Sequence, residues 1–499
     1  MKKLSFLTRT SLLLGFFFTL DKILAFVRSI IIARTFSLSF ELDAFNVANN
    51  LPDLLFALIS GGALAMAFIP VLTEILTLQG RQAAWDLFSR VANLAFVVTG
   101  SVAVIIAIFA TQLVRAQIGI APGFGADQQR IIADLMRLNL IATVIFSISG
   151  LVMASLQANQ HFLFPALAPT LYNVGQIFGA LVLAPRFGVH GLVYGVIIGA
   201  VLHLGIQIPA LIKYQFRWTP SLKLDPAVIE ALKVVGPRLL TMFFIQSMFI
   251  ARDNFASRLN QVGAISSLTY GWMIMQVPET LMGTAIATAL LPTLSQLAAR
   301  GDWSGFRQTI ERALQVLIAL TLPAAAVIAA GLHPLVRAAF GFDEVGTNLL
   351  TTTARIYMLT LCGYAIQEVA ARSFYARKEA WYPFFGVAVR MALYIPVGAI
   401  ALTMFRSVGA PAIAFAELSL TVEAALMFFW LSRKMHEPLK VNGALLKGLV
   451  AALFGGGTAY VLALIVPGSA VLTALIGMIV GTGVALAIVQ REVRLLFNL

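Results

Sequence analysis

Charge is scarce in this chain, and cysteine is scarcer. Asp, Glu, Lys and Arg make up 11% of the 499 residues, against 60% hydrophobic ones. Ordinary soluble domains carry about a quarter of their residues as charges, so a single water-soluble core is excluded. Cys362 is the one cysteine, which excludes an internal disulfide and a thiolate metal site. His161, His190, His203, His333 and His436 are scattered without ligand spacing, so no metal is expected. Gly455-Gly456-Gly457 lies inside an apolar run, with no following Lys-Ser/Thr, and is not a phosphate loop. No ATPase or hydrolase signature occurs, so the chain reads as a non-enzyme without cofactor. Work done across a membrane must then draw on gradients or on the membrane potential.

Apolar length is what the chain has in abundance. Stretches such as Ala92 to Thr111 and Gly468 to Gln490 run almost free of charge, and about 20 such residues cross ~30 Å of hydrocarbon as a helix. Counting these runs predicts an all-α polytopic membrane protein with about 14 transmembrane helices. The opening Met1-Lys2-Lys3 and the run Ser11 to Leu20 imitate a signal peptide. However, Asp21-Lys22 stands where a small-residue cleavage site belongs and the apolar run resumes at once, so this reads as an uncleaved first span.

The net charge of +13 raises nucleic acid as a partner, but the placement of the charge argues against it. Lys and Arg collect in alternate connections, as the positive-inside rule predicts, and no aromatic-basic strip of the RNA-binding kind is present. Both termini are expected on the cytoplasmic side of a bacterial inner membrane. Lys213 to Pro220 mixes basic and aromatic residues, the composition of a segment at headgroup level.

An internal repeat divides the chain. Gly62 to Leu72 (GALAMAFIPVL) and Thr284 to Leu294 (TAIATALLPTL) agree at five of eleven positions, with Pro70 and Pro292 separated by 222 residues. Phe26 to Arg34 (FVRSIIIAR) and Phe244 to Arg252 (FIQSMFIAR) agree at an offset of 218. Copies at nearly one offset, separated by six spans, predict two six-helix lobes related by a pseudo-two-fold axis along the membrane normal. The expected organisation is an N-lobe at 1–213, an interfacial linker at 214–227, a C-lobe at 228–434 and two further spans within 435–499. Pro52 and Pro70, with Pro278 and Pro292 in the second copy, should bend helices where cavity water or neighbours satisfy the freed carbonyls. Gly61, Gly62, Ala63, Ala65 and Ala67 form a small-residue strip suited to close helix packing.

Within spans that should be apolar stand Asp21, Lys22, Arg28, Arg34 and Asp43, and later Arg238, Arg252, Asp253 and Arg390. Charge at bilayer depth costs roughly 2.5 to 3.5 kcal/mol per residue on insertion scales, so such groups face a watered cavity or a partner. Asp21 and Arg28, seven apart, nearly share a helix face and could pair with one another or with neighbours.

The runs DKILAFVRSIIIARTF (Asp21 to Phe36), LDAFNVANNLPDLL (Leu42 to Leu55), GGALAMAFIP and NQHFLFPALAPTLYNVG (Asn159 to Gly175) resemble the MurJ (MviN) family of lipid II flippases. That family lies within the multidrug/oligosaccharidyl-lipid/polysaccharide exporter superfamily. The resemblance implies twelve core spans in two lobes, two extra C-terminal spans, and alternating-access export of an undecaprenyl-diphosphate-linked disaccharide pentapeptide to the outer leaflet. Such a substrate needs cations in a wet cleft. The resemblance makes Lys22, Arg28, Arg34, Arg238 and Arg252 candidate substrate-binding residues, and Asp43, Asp21, Asp253, Pro52 and Pro278 candidates for gating and coupling. Expected partners are the lipid-linked glycan, membrane lipids and other cell-wall synthesis proteins.

Two departures stand out. Phe56 to Ala63 lacks the two cations and the carboxylate usual in span two of the family, and Met273 stands where a span-eight arginine is usual. Arg238, Arg252 and Arg390 could compensate, or Asp253, Glu417 and Glu423 could neutralise them. The departures keep open an exporter of another lipid-linked polysaccharide unit or of a drug-like cation, and a transport-inactive scaffold for cell-wall enzymes.

Overall fold

The computed structural model describes residues 6–59, 63–223, 226–435 and 438–495. The side chains of Arg238 and Pro70, and the strip from Gly61 to Ala67, lie outside that description. The described residues form helices and connections, with no strand among them. In chain order the helices are α1 (Phe6–Phe36), α2 (Phe40–Ala48), α3 (Asn50–Ile59), α4 (Ala63–Leu78), α5 (Arg81–Arg115) and α6 (Ala126–Ala158). There follow α7 (Leu163–Phe187), α8 (Val189–Lys213) and α9 (Pro226–Ser257). The remainder are α10 (Ala264–Arg300), α11 (Trp303–Phe340), α12 (Glu344–Met358), α13 (Leu361–Ala376), α14 (Trp381–Met404), α15 (Ala410–Lys434), α16 (Asn442–Ile465) and α17 (Ala470–Ile488).

Among the described residues ten helices are long and apolar enough to cross a membrane. The number is eleven if α12 and α13, bent by 42° at their junction, count as one broken span. Apart from these, α1 and α9 are continuous over 31 and 32 residues. The expected single helix of span two is broken between α2 and α3; the junction of α3 and α4 falls at residues 60–62, outside the described residues. Asn49 interrupts the first two, its side-chain amide donating back to Phe45 O at 3.0 Å. Pro52, buried as the third residue of α3, has no N–H to give to that junction.

The chain divides into two compact units, Met1–Val262 and Gly263–Leu499. Helix α9, read from sequence as the first span of the C-lobe, packs on α3, α4 and α5 of the first unit. In that unit α6 is central and touches α2, α3, α4, α5, α7 and α8. In the second, α11 packs on α13, α16 and α17. Residues 214–221 are strapped along α5. Trp85 Nε1 donates to Tyr214 O at 3.1 Å, Asn93 Nδ2 to Thr219 O at 2.8 Å, and Trp218 Nε1 to Asn93 Oδ1 at 2.8 Å.

Glycine sets the closest helix approach. Gly175 and Gly179 of α7 face Gly191, Gly195 and Gly199 of α8, and a Cβ on Gly179 would stand 2.6 Å from the Gly195 Cα. The four-residue spacing puts these glycines in one row, so the two backbones can touch. This row holds α7 in place two residues beyond Asn173. A similar approach of Gly455 to Gly481 joins α16 to α17, and Gly456 packs on Ala326 of α11, while Gly457 faces open space.

Candidate functional site

The first polar cluster is built from α1 and α7. Asp21 and Arg28 lie two turns apart on the face of α1 that packs on α7. Asn173, deep in α7, reaches between them. Arg28 Nη1 donates to Asn173 Oδ1 at 2.9 Å, and Asn173 Nδ2 donates to Asp21 Oδ1 at 2.8 Å. The same amide nitrogen lies 3.3 Å from the carbonyl of Pro169 inside α7, which links the clamp to that proline's turn. A neutral amide thus separates a carboxylate from a guanidinium that could have paired directly. Arg28 Nε is buried without a partner, and a guanidinium carries five donors, so most of its capacity is uncommitted. Asp53 of α3 and Tyr172 of α7 both feel the Arg28 charge.

Lys22 does not join this group. One residue on from Asp21 turns it about 100° around the helix, a consequence of 3.6 residues per turn. It is exposed there, with its ammonium 5.8 Å from the centre of the Phe18 ring. Arg34 is also exposed, in the last turn of α1, where a cation favours the helix dipole. Asp43 is buried in the first turn of α2, the favourable end for an anion, behind a Ser39 cap that accepts from Leu42 N at 3.2 Å.

Arg252 and Asp253 bind each other. Arg252 Nε lies 2.8 Å from Asp253 Oδ1, and both side chains are buried. Asn50 Nδ2 closes the other oxygen of Asp253 at 2.9 Å, tying α9 to the broken start of α3. Beside it Asn139 of α6 donates to Asn49 Oδ1 at 2.9 Å. Arg252 thus takes the neutralised arrangement weighed above, with Asp253 as the carboxylate beside it. Arg252 is also 5.2 Å from the centre of the Phe249 ring.

In the second unit Pro278 is buried inside α10, and a π-helical turn, Thr280–Thr284, follows it directly. Glu279 sits between the two, accepting from Thr284 Oγ1 at 2.8 Å. Where span eight is expected to bend, the helix thus carries a proline and then a π-helical turn, an arrangement that loosens the i to i−4 ladder. Met273 is half-buried one turn earlier. Arg390 forms a buried ion pair with Glu417, and its Nη2 donates to the Tyr364 hydroxyl at 3.0 Å. Tyr364 in turn donates to Glu417 Oε1 at 2.6 Å. The Glu368 and Arg372 pair expected within one helix is present in α13.

Asn173, Asp53 and Tyr172 were not among the candidates drawn from sequence. Each lies in a run already singled out for its resemblance, NQHFLFPALAPTLYNVG or LDAFNVANNLPDLL. A polar residue near the end of such a motif was the available signal.

The profile of the family described as lipid II flippase MurJ matches residues 32–481. The chain belongs to the lipid II flippase MurJ family. Among MurJ relatives, a lipid II flippase MurJ of Burkholderia cenocepacia is 29% identical over 83% of this chain and 81% of its own length. A probable lipid II flippase MurJ of Thermotoga maritima is 27% identical over 84% of each. A solved lipid II flippase MurJ in an inward closed conformation superimposes with a TM-score of 0.82 at 21% identity, covering 97% of this chain and 100% of the other. An inward-facing multidrug resistance MATE transporter gives 0.72 at 13% identity over 83% and 94%. The MurJ fold therefore holds along nearly the whole chain, and the fold of the MATE transporter is shared over 83% of it.

Proposed function

We propose that this protein flips lipid II, the undecaprenyl-diphosphate-linked peptidoglycan precursor, from the cytoplasmic to the outer leaflet of a bacterial inner membrane by alternating access. The reading rests on family membership across residues 32–481, and one observation carries it into the structure. Arg28 is held by the neutral amide of Asn173 and keeps an unpartnered buried Nε. A guanidinium anchored that way can present its free fork to a phosphate oxygen, as bidentate recognition requires. Asp21 balances its charge through Asn173 while no substrate is present. Asp43, with the Asp253 and Arg252 pair, braces the broken span two, and the bend at Pro278 is the hinge of span eight. The two lobes, the pseudo-two-fold relation and cytoplasmic termini belong to the same reading.

Rescue of a bacterium depleted of its own flippase tests the proposal. The parent should restore growth and Arg28→Ala should not, at equal membrane abundance. Lipid II flipping in proteoliposomes, set beside a different undecaprenyl-diphosphate saccharide, separates this substrate from its alternatives. Growth restored by Arg28→Ala, or flipping of only the other saccharide, would overturn the reading.

A further inference from the structure

Arg390 of α14 stands among two carboxyl groups of α15 and can neutralise only one. Glu417 has taken it: the ion pair is direct, and the Tyr364 hydroxyl donates to the same oxygen at 2.6 Å. Glu423, two turns further along α15 near its middle, is wholly buried, with a side-chain exposure of 0%. Its oxygens make no close, well-aligned hydrogen bond: the nearest donors are Arg390 Nη1, 3.6 Å from Oε2, and the side-chain amide of Gln367. Facing Glu423 are Arg390 from α14, Gln367 from α13 and Glu417 from its own helix, with Tyr364 of α13 bound to Arg390 and Glu417. The contribution from α10 is the uncharged Trp272, whose Nε1 lies 3.5 Å from the Tyr364 oxygen. One guanidinium therefore faces two carboxyl groups inside a span, and the charge balances only if one of them is neutral.

We propose that Glu423 binds and releases a proton, and that this cluster couples proton movement to the transport step proposed above. With the proton on Glu423 the cluster is neutral: Arg390 pairs with Glu417 and Tyr364 bridges them. When the proton leaves to water the cluster carries one excess negative charge. Arg390, already 3.6 Å from Oε2, is then drawn from Glu417 toward Glu423, and the Tyr364 hydroxyl loses its partner arrangement. Trp272 passes that change to α10, six residues before Pro278 and its π-helical turn. The bent span thus has an electrostatic input of its own. The coupling half of the inference rests on the lipid II reading, but the proton site does not.

Two measurements test it. Infrared difference spectra of the purified protein between alkaline and acidic pH should show the carbonyl band of a buried protonated carboxylic acid. Glu423→Gln, which imitates the neutral form and so preserves the fold, should remove that band. Glu417→Gln should also remove it, because Arg390 then holds Glu423 as its only ion-pair partner. A band unchanged in Glu423→Gln overturns the proton site. In proteoliposomes the distribution of lipid II at equilibrium should shift by up to about tenfold per unit of imposed pH gradient for one proton per cycle, and Glu423→Gln should abolish the response. A variant that still responds overturns the coupling. A parent that shows the infrared band yet flips no lipid II overturns the function proposed above and leaves the proton site standing.

Discussion

Arg28 and Asn173, 145 residues apart in the chain, meet at 2.9 Å between Nη1 and Oδ1. Through the same amide Asn173 holds Asp21 at 2.8 Å. The geometry keeps opposite charges close without letting them close on one another.

Asn173→Asp should convert this clamp into a lock. A carboxylate at 173 would pair directly with Arg28 and repel Asp21, taking up the guanidinium that phosphate needs. Hydrogen bonds to charged groups are worth about 1.5 to 3 kcal/mol, so flipping efficiency should fall on the order of 10- to 100-fold. Arg28→Lys should lose a comparable amount, keeping the charge but not the fork. Lys22→Ala should lose much less, since Lys22 stands outside the clamp. Initial flipping rates of the three variants in proteoliposomes check the ranking.

Asp253→Ala should be strongly destabilising. It removes the carboxylate beside the buried Arg252 guanidinium and the acceptor of the Asn50 amide, and breaking a buried pair typically costs about 3 to 5 kcal/mol. Replacing both partners, Arg252→Met with Asp253→Leu, should recover most of the loss. Thermal unfolding of the detergent-solubilised proteins tests whether the double variant exceeds the single one.

The glycine row should tolerate no side chain. A Cβ at Gly179 or Gly195 meets backbone atoms of the facing helix, so Gly179→Leu or Gly195→Leu must push α7 from α8. Overpacking of this kind costs about 1 to 3 kcal/mol. Because α7 carries Asn173, transport should suffer along with the melting temperature. Gly443, with open space around its Cα, serves as a control: Gly443→Ala should leave both readouts unchanged.

Acid should weaken the connection between α13 and α14 through Glu379. Burial alone would push its carboxyl up, but hydrogen bonds from Arg377 and Lys434, together with their positive charges, hold it below the usual carboxylate range. A group depressed in the folded state contributes stability above its unfolded pKa, about 4.3 for Glu. That contribution fades as the pH falls through the lower folded value. Glu379→Gln should therefore melt earlier than the parent at neutral pH, and the gap should close in acid. A gap that stays constant with pH would mean that Glu379 contributes packing and not charge.

Hydropathy and charge placement were enough to read a helical membrane protein, because an apolar run of about 20 residues has few other ways to satisfy its backbone. The repeat and the prolines marked where helices would bend, and at Pro278 the helix passes into a π-helical turn. Other features needed the assembled chain. Asp21 and Lys22 are neighbours in sequence, yet one helical step sends one into the clamp and the other out of it. Arg28, Arg252 and Arg390 read alike as cations in apolar spans. Only the tertiary structure gave the first a neutral amide, the second the buried carboxylate of Asp253 and the third two carboxyl groups. Local sequence determines which groups must leave the hydrocarbon. Which partner each one meets is decided by contacts between helices far apart in the chain, and those depend on how closely glycine rows such as Gly175 to Gly199 let the backbones approach.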